Sequence, residues 1–419
     1  MSVFPREFID RIPKTDLHVH LDGSLRLSTL IELARESGVN LPSFTEQGLC
    51  DLVFKSSYAN LDEYLSGFAW TVRVLQTPEA LERVAYELAI DSSAEGVRHL
   101  EVRFAPQLHM RGDTRAGTHP RDGSSMRFED VMAAVDRGLR RARGEINTAR
   151  GPGQPEFDYG IIVTAMRFFT RDFSAYYRTF CDVHAYSPQT EIIRAAAIEL
   201  ARATVALCRS SDIQIVAFDL AGSEHGYPAG AHEEAFDFVH ENFLKKTVHA
   251  GEAYGPESIF QAITKLHADR IGHGLRLFDT EMINSREIVD RAEYVRGLAN
   301  FIADRRTTIE VCLTSNLQTA PDITDISKHS LGRMLENKLS ITLCTDNRLV
   351  SHTTVTREIL LAIENFAITP KMLKHIIVYG FKRSFSYKPY PEKRQYVRSI
   401  IDYYERLERK YGVTEDAEP

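Results

Sequence analysis

The chain has 419 residues, 43% of them hydrophobic and 26% charged, with a formal net charge of -7 at pH 7. That balance describes a folded globular protein and excludes a disordered or membrane-embedded one, and the acidic sign offers no general attraction to nucleic acid. Residues 1–7 lack the pattern of a secretory leader, and five cysteines (Cys50, Cys181, Cys208, Cys312, Cys344) with no C-x-x-C spacing argue against a disulfide framework. A cytoplasmic address and a small-molecule partner are therefore expected.

The first strand-like run covers residues 16–21, where His18 and His20 alternate with Leu17, Val19 and Leu21. Period two points both imidazoles to one side, which suits a single metal ion and equally suits polar positions on a solvated sheet face. Residues 25–76 are too many for one crossover and should form extra helices. A helix at 78–96 and a strand at 97–104 follow. Residues 111–125, rich in Gly, Arg, Asp and Thr, read as an inserted surface loop, as does 149–156 with its Arg-Gly-Pro-Gly-Gln-Pro run. Between them a helix at 128–143 carries Arg137, Arg140, Arg141 and Arg143, which with Arg150 form a basic run open to two readings, a solvated helix face or a nucleic-acid patch.

A strand at 159–166 leads into a third insertion, 168–188, whose seven aromatic residues from Phe168 to Tyr186 fit local packing, a subunit contact, or stacking over a pocket. A helix at 191–209 and a strand at 213–220 come next. The short run 246–250 ends near His249, with Glu252 three residues on and Gly255-Pro256 opening a helix at 256–268. Strand 270–273 ends in His273, framed by Gly272 and Gly274, which let backbone and ligand approach closely. Runs at 308–313 and 340–345 complete the set, the last leading into Asp346 and Asn347. Cys312 and Cys344 lie in these apolar runs and read as small buried hydrophobes.

Eight strands alternating with helices predict an α/β fold, a closed (β/α)8 TIM barrel with the extra helices over its C-terminal mouth, in a single domain spanning 1–419. The polar residues gather at strand C-termini, where barrel enzymes keep their chemistry.

Six segments in order, DLHVHLDGS (16–24), HLEVRFAP (99–106), FDLAG (218–222), HAGE (249–252), IGHG (271–274) and TDN (345–347), resemble those of adenosine deaminases within the metal-dependent amidohydrolase superfamily. The resemblance implies hydrolytic removal of the 6-amino group of adenosine, and of 2'-deoxyadenosine, in purine salvage. His18, His20, His249 and Asp346 would hold one Zn2+, which lowers the pKa of water to about 7. Glu252, beside the metal but not on it, would protonate N1, and His273 would orient the attacking hydroxide. A solvated helix-start glutamate and a backbone-satisfied core histidine are the alternatives for these two. Gly222 would offer its N–H to N3, and Asp22 would receive the ribose 5'-hydroxyl, where a helix N-cap is the competing role. Relatives that take free adenine usually carry Glu at the place of Asp22, and a 5'-phosphate would be repelled there. Asn347 departs from the common aspartate that donates to N7, but an amide always has N–H to give, so the contact survives. In the family, residues 25–76 belong to the lid.

Arg348 and His352 leave open an anionic substrate group or a surface loop. The same site could take another 6-aminopurine compound (an N6-substituted nucleotide, adenine or aminodeoxyfutalosine), or a non-catalytic binding protein could retain the fold. The oligomeric state and native metal are not legible.

Overall fold

Among the described residues, 3–111 and 125–414 of the computed structural model, eight parallel strands follow one another in chain order around one sheet. They are β1 Lys14–His20, β2 Val97–Phe104, β3 Asp158–Met166, β4 Ile215–Ala221, β5 Lys245–Ala250, β6 Arg270–His273, β7 Thr308–Val311 and β8 Ile341–Leu343. Each pairs in parallel with the next. The barrel closes between β8 and β1, where Asp346 N–H donates to the His18 carbonyl and His20 N–H to the Asp346 carbonyl, both at 2.8 Å. The fold is the (β/α)8 TIM barrel with extra helices over its mouth.

Strands such as β4 (IVAFDLA) are buried along their whole length, as expected of a parallel sheet covered by helices outside and filled within. The interior is unusual in its charge. Arg103, Arg270, Glu101, Asp219 and Glu310 are all essentially inaccessible and pair with one another: Arg270 Nε with Glu310 at 2.6 Å, Arg103 Nη2 with Glu310 at 2.8 Å, and Arg103 Nη1 with Asp219 at 3.4 Å. The apolar core lies mainly between sheet and helices, and Cys312 and Cys344 pack with Leu17 in a small separate cluster.

Between β1 and the helix Pro78–Ala94, the chain forms helices Leu27–Ser37, Glu46–Leu52, Leu61–Ser66 and Phe68–Val74. Side-chain oxygens of Thr45, Asn60 and Thr77 cap three of the helix starts in this stretch. Two expected strands are shorter in the structure. The run at 308–313 stops at Val311 because Leu313 already begins a helix, Leu313–Thr319; the run at 340–345 stops at Leu343, and Asp346 then turns to φ +61°.

Residues 112–124 of the first expected insertion lie outside the described residues; its flanks, Arg111 and Met126, pair as an antiparallel bridge. Residues 149–156 are loop, and 168–188 contains the helix Ala175–Val183. There Phe169 stacks on Tyr177 at 3.9 Å between centroids, and both are buried in a satellite core with Val72, Leu108 and Ile192. Local packing therefore accounts for these two aromatics. Every arginine of the basic run meets a carboxylate: Arg137 and Arg141 on Glu82, Arg140 on Asp136 and Asp212, Arg143 on Asp158, Arg150 on Glu156. No described helix is long and apolar enough to cross a membrane.

The helix Pro78–Ala94 lies hard against the helix Phe128–Thr148 at Gly138, where an added Cβ would stand 2.2 Å from the Glu82 carbonyl oxygen. Gly138→Ala should cost about 1–3 kcal/mol by forcing the pair apart. Gly144→Ala, on the open side of the same helix, should gain about 0.5–1 kcal/mol through propensity. Urea unfolding midpoints of the two variants check the opposite signs.

Candidate active site

The site grows out of the charged barrel interior. Glu310 on β7 accepts from His18 Nδ1 at 2.9 Å and Asp219 on β4 from His249 Nδ1 at 3.2 Å. A histidine that donates from Nδ1 to a carboxylate presents the Nε2 lone pair on its other side. His18 Nε2 is buried and has no hydrogen-bond partner among the described residues. His20 Nε2 and His249 Nε2 face each other at 3.2 Å, and Asp346 Oδ1 is 3.4 Å from both His18 Nε2 and His20 Nε2. Burial holds the His20 and His249 imidazoles below their ordinary range and hence neutral. Burial would raise Asp346, but the neighbouring imidazoles, His18 foremost, hold it well below the usual carboxylate range. Converging imidazole nitrogens beside an ionised carboxylate, with one buried nitrogen unpartnered, are the donor set of a divalent cation such as zinc. The residues present fit such an ion.

Distance alone does not say which histidines belong to it. Donor atoms of His18, His249, His273 and Asp346 all lie within 4.8 Å of one another. That group includes His273, expected off the metal, and omits His20, expected on it, although His20 also touches two of its members.

Backbone geometry builds this cluster as much as side chains do. His273 and Asp346 both adopt left-handed φ, +66° and +61°, costly for residues with a Cβ and typical of sites held by their surroundings. Gly272 makes room beneath His18: a Cβ there would come within 2.9 Å of the His18 ring.

Glu252 is not a solvated helix-start residue. It is buried in the turn before the helix Pro256–Thr264, its Oε1 3.6 Å from His273 Nε2. The turn is gripped by the buried Glu224 carboxylate, which accepts the N–H groups of Gly251, Glu252, Ala253 and Tyr254 at 2.8–3.0 Å and the Ser258 hydroxyl. Burial, with Asp346 and Glu224 nearby, pushes the Glu252 carboxyl well above its ordinary range, against a smaller pull from Arg167. The shift favours the protonated form of Glu252.

Asp22 is buried, and its Oδ1 has no partner among the described residues. It caps no helix, since the next one begins at Leu27 with Arg26 at its N-cap. Gly222 adopts φ +100° at the end of β4, a conformation that excludes a side chain on steric grounds alone. Asn347 gives one amide hydrogen to the Tyr64 hydroxyl at 2.9 Å.

The adenosine deaminase family model matches residues 13–403. The chain is 34% identical over 396 residues to adenosine deaminase 1 of Streptomyces coelicolor, covering 94% of this chain and 87% of that protein. It is 35% identical to the adenosine deaminase of Mycobacterium ulcerans, covering 90% and 91%. The chain belongs to the adenosine deaminase family. Among solved structures, the fold is shared with an amidohydrolase from Burkholderia ambifaria crystallised with bound zinc (TM-score 0.72, 21% identity, 98% and 95% covered). It is also shared with the adenine deaminase of Arthrobacter aurescens (0.69, 19%, 94% and 99%).

In this family member Arg348, unplaced from sequence, is anchored by Glu95 at 2.6 Å, and His352 Nε2 meets the Phe54 carbonyl at 2.6 Å. Both tie the loop after β8 to neighbouring elements. Sequence reasoning gave no role to Glu310, Asp219, Glu224, Ser315 or Asn316. Glu310 and Asp219 carried a signal, a lone acid inside an apolar barrel strand, which must find a partner within. The other three carried none, because their partners are far off in the chain.

Ser315 and Asn316 sit on the helix Leu313–Thr319, where Ser315 Oγ donates to Asp346 Oδ2 at 2.6 Å. Glu358 holds the start of that helix, accepting from Thr314 N–H at 3.1 Å and from the hydroxyls of Thr314 and Thr353. Burial pushes the Glu358 carboxyl up from 4.5 to about 7. An acid whose folded pKa is raised stabilises fully below its unfolded pKa, and that stability is lost as pH rises through the folded value. From about pH 5 to about pH 8 the wild type should lose about 1–3 kcal/mol relative to Glu358→Gln, read from paired urea denaturation curves.

Proposed function

We propose that the protein hydrolyses adenosine and 2'-deoxyadenosine to inosine or 2'-deoxyinosine and ammonia, as a purine-salvage enzyme with one zinc ion held by His18, His20, His249 and Asp346. The observation that carries this reading is a buried carboxyl, Glu252, pushed toward its protonated form by burial and by Asp346 and Glu224, beside converging imidazoles and the Asp346 carboxylate. When bound, the ion supplies the acidity that makes water a nucleophile near neutral pH. As the water oxygen bonds to C6, the ring electron pair moves to N1, and Glu252 delivers its proton there. His273 orients the attacking oxygen. Glu252, now a carboxylate, takes up one proton of the attacking water, the other passes to the amino group, and departure of ammonia breaks the C6–N6 bond as C6 becomes a carbonyl.

The remaining groups hold the nucleoside. Gly222 N–H serves N3. Asn347 serves N7 with the amide hydrogen that Tyr64 does not take. Asp22, with an unpartnered carboxylate oxygen, accepts the 5'-hydroxyl and repels a 5'-phosphate. Arg348 is spent on Glu95 and offers no compensating cation, which favours a nucleoside over a nucleotide. We read the chain as one domain, its 25–76 region the lid, working in the cytoplasm.

Purified zinc-loaded protein should lower ultraviolet absorbance with adenosine and leave AMP and adenine unchanged; a chelator should abolish the reaction and zinc restore it. Faster turnover of AMP or adenine, or activity indifferent to chelation, would overturn the assignment. Glu252→Gln should retain zinc and reduce kcat by about 10²-fold or more, and metal analysis beside steady-state kinetics separates this from loss of the ion.

A further inference from the structure

Behind His273 stands a row of hydrogen bonds for which the reaction scheme has no use. It begins at a group whose direction is beyond dispute: the backbone N–H of Leu331 donates to His329 Nδ1 at 3.0 Å. Nδ1 of His329 therefore holds a lone pair, and in a neutral ring the proton resides on Nε2. The ring is neutral, for His329 is buried and burial, with Arg276 nearby, pushes it down to about 4. His329 Nε2 lies 3.2 Å from Asn316 Oδ1 and so donates to it. That bond orients the amide, leaving Asn316 Nδ2 to donate to His273 Nδ1 at 3.0 Å. Every member is buried, so no solvent competes for these positions.

We propose that Asn316 and His329 are positioning residues that lock His273 in the tautomer carrying its proton on Nε2, making it a hydrogen-bond donor toward the reacting oxygen and barring it from the metal. The proposal rests on the reading of His273 given above and extends it. An imidazole nitrogen that bears a proton has no lone pair for a cation. His273 therefore lies within metal-binding distance of His18, His249 and Asp346 without being able to join them, and the fourth place falls to His20. The contrast with the neighbouring rings is chemical. His18 and His249 donate a hydrogen bond from Nδ1 to a carboxylate, which strengthens Nε2 as a ligand; His273 accepts a hydrogen bond at Nδ1 from an amide N–H, with the opposite result.

The test is nitrogen NMR of the zinc-loaded enzyme labelled with 15N-histidine, together with three variants. In the wild type, His273 should show a protonated Nε2 and an unprotonated Nδ1. Asn316→Asp puts an acceptor where the donor stood, so the two His273 signals should exchange. In that variant kcat should fall about tenfold or more, with KM held within about twofold. His329→Gln keeps an N–H for Asn316 and should preserve both tautomer and kcat. His329→Phe frees the amide to turn over and should lose both in part while keeping the circular dichroism of the wild type. A wild-type His273 protonated on Nδ1, an unchanged tautomer in Asn316→Asp, or equal behaviour of His329→Gln and His329→Phe would overturn the proposal. The tautomer is read without turnover, so an enzyme inactive on adenosine would undermine the substrate assignment and leave this inference standing on its own measurement.

Discussion

Everything at the mouth of this barrel depends on one carboxylate inside it. Glu310 receives His18 Nδ1, Arg103, Arg270 and the Thr247 hydroxyl within 2.6–3.0 Å. An ion so fully removed from water is tolerable only while its donors stay in place, and removing one partner of such a network costs far more than the network contributes. The arrangement is thus all-or-none. It sets the orientation of His18, and through Arg103 and Asp219 that of His249, before any metal arrives. Preorganisation of this kind exchanges some stability for ligand geometry.

Backbone shape supplies what the charges cannot. Strands β5, β6 and β8 deliver their polar residues to one point only because the chain turns sharply just past each strand end. His273 and Asp346 hold left-handed conformations, while the N–H groups of 251–254 converge on Glu224. The Glu224 carboxylate has two effects at once. It fixes the turn that presents Glu252, and its negative charge helps to keep Glu252 protonated. A buried acid that must hold its proton near neutrality is well served by an ionised acid a few ångströms behind it.

The strands were legible because parallel barrel strands are short apolar runs, and because their ends are marked by residues too polar to be there by accident: His18 and His20, His249, His273, Asp346. The alternation in 16–21 and the spacing of His249 and Glu252 are local, and local patterns survive into the fold. What escaped the sequence is non-local. Asn316 looks like an ordinary helix residue until β6 and the segment carrying His329 are brought to its two sides. Glu224 sits in an unremarkable loop until 251–254 folds over it. Arg348, which the sequence leaves open between a contact to an anionic substrate group and a surface loop, is claimed by Glu95 at the end of a helix more than two hundred residues earlier. The rule that separates the two groups is whether the partner lies within the same turn or strand.

The same distinction bears on substrate choice. Asn347 stands where a family aspartate is common, and its setting explains how the amide is accommodated. Its carbonyl end crowds Gly23, where a Cβ would meet Oδ1 at 1.9 Å, and its nitrogen reaches Tyr64, which in turn contacts Ser351 at 2.8 Å. The side chain is therefore anchored through its nitrogen and confined at its oxygen by the Gly23 backbone, and the amide hydrogen not taken by Tyr64 is available at any pH. A carboxyl in that place would donate only while protonated, next to an ionised Asp346 that favours the neutral form. An amide needs no such help. The exchange removes one titrating group from a site already crowded with acids, and leaves the protonation of Glu252 to be set by burial, Asp346 and Glu224 without a third carboxyl competing for the proton.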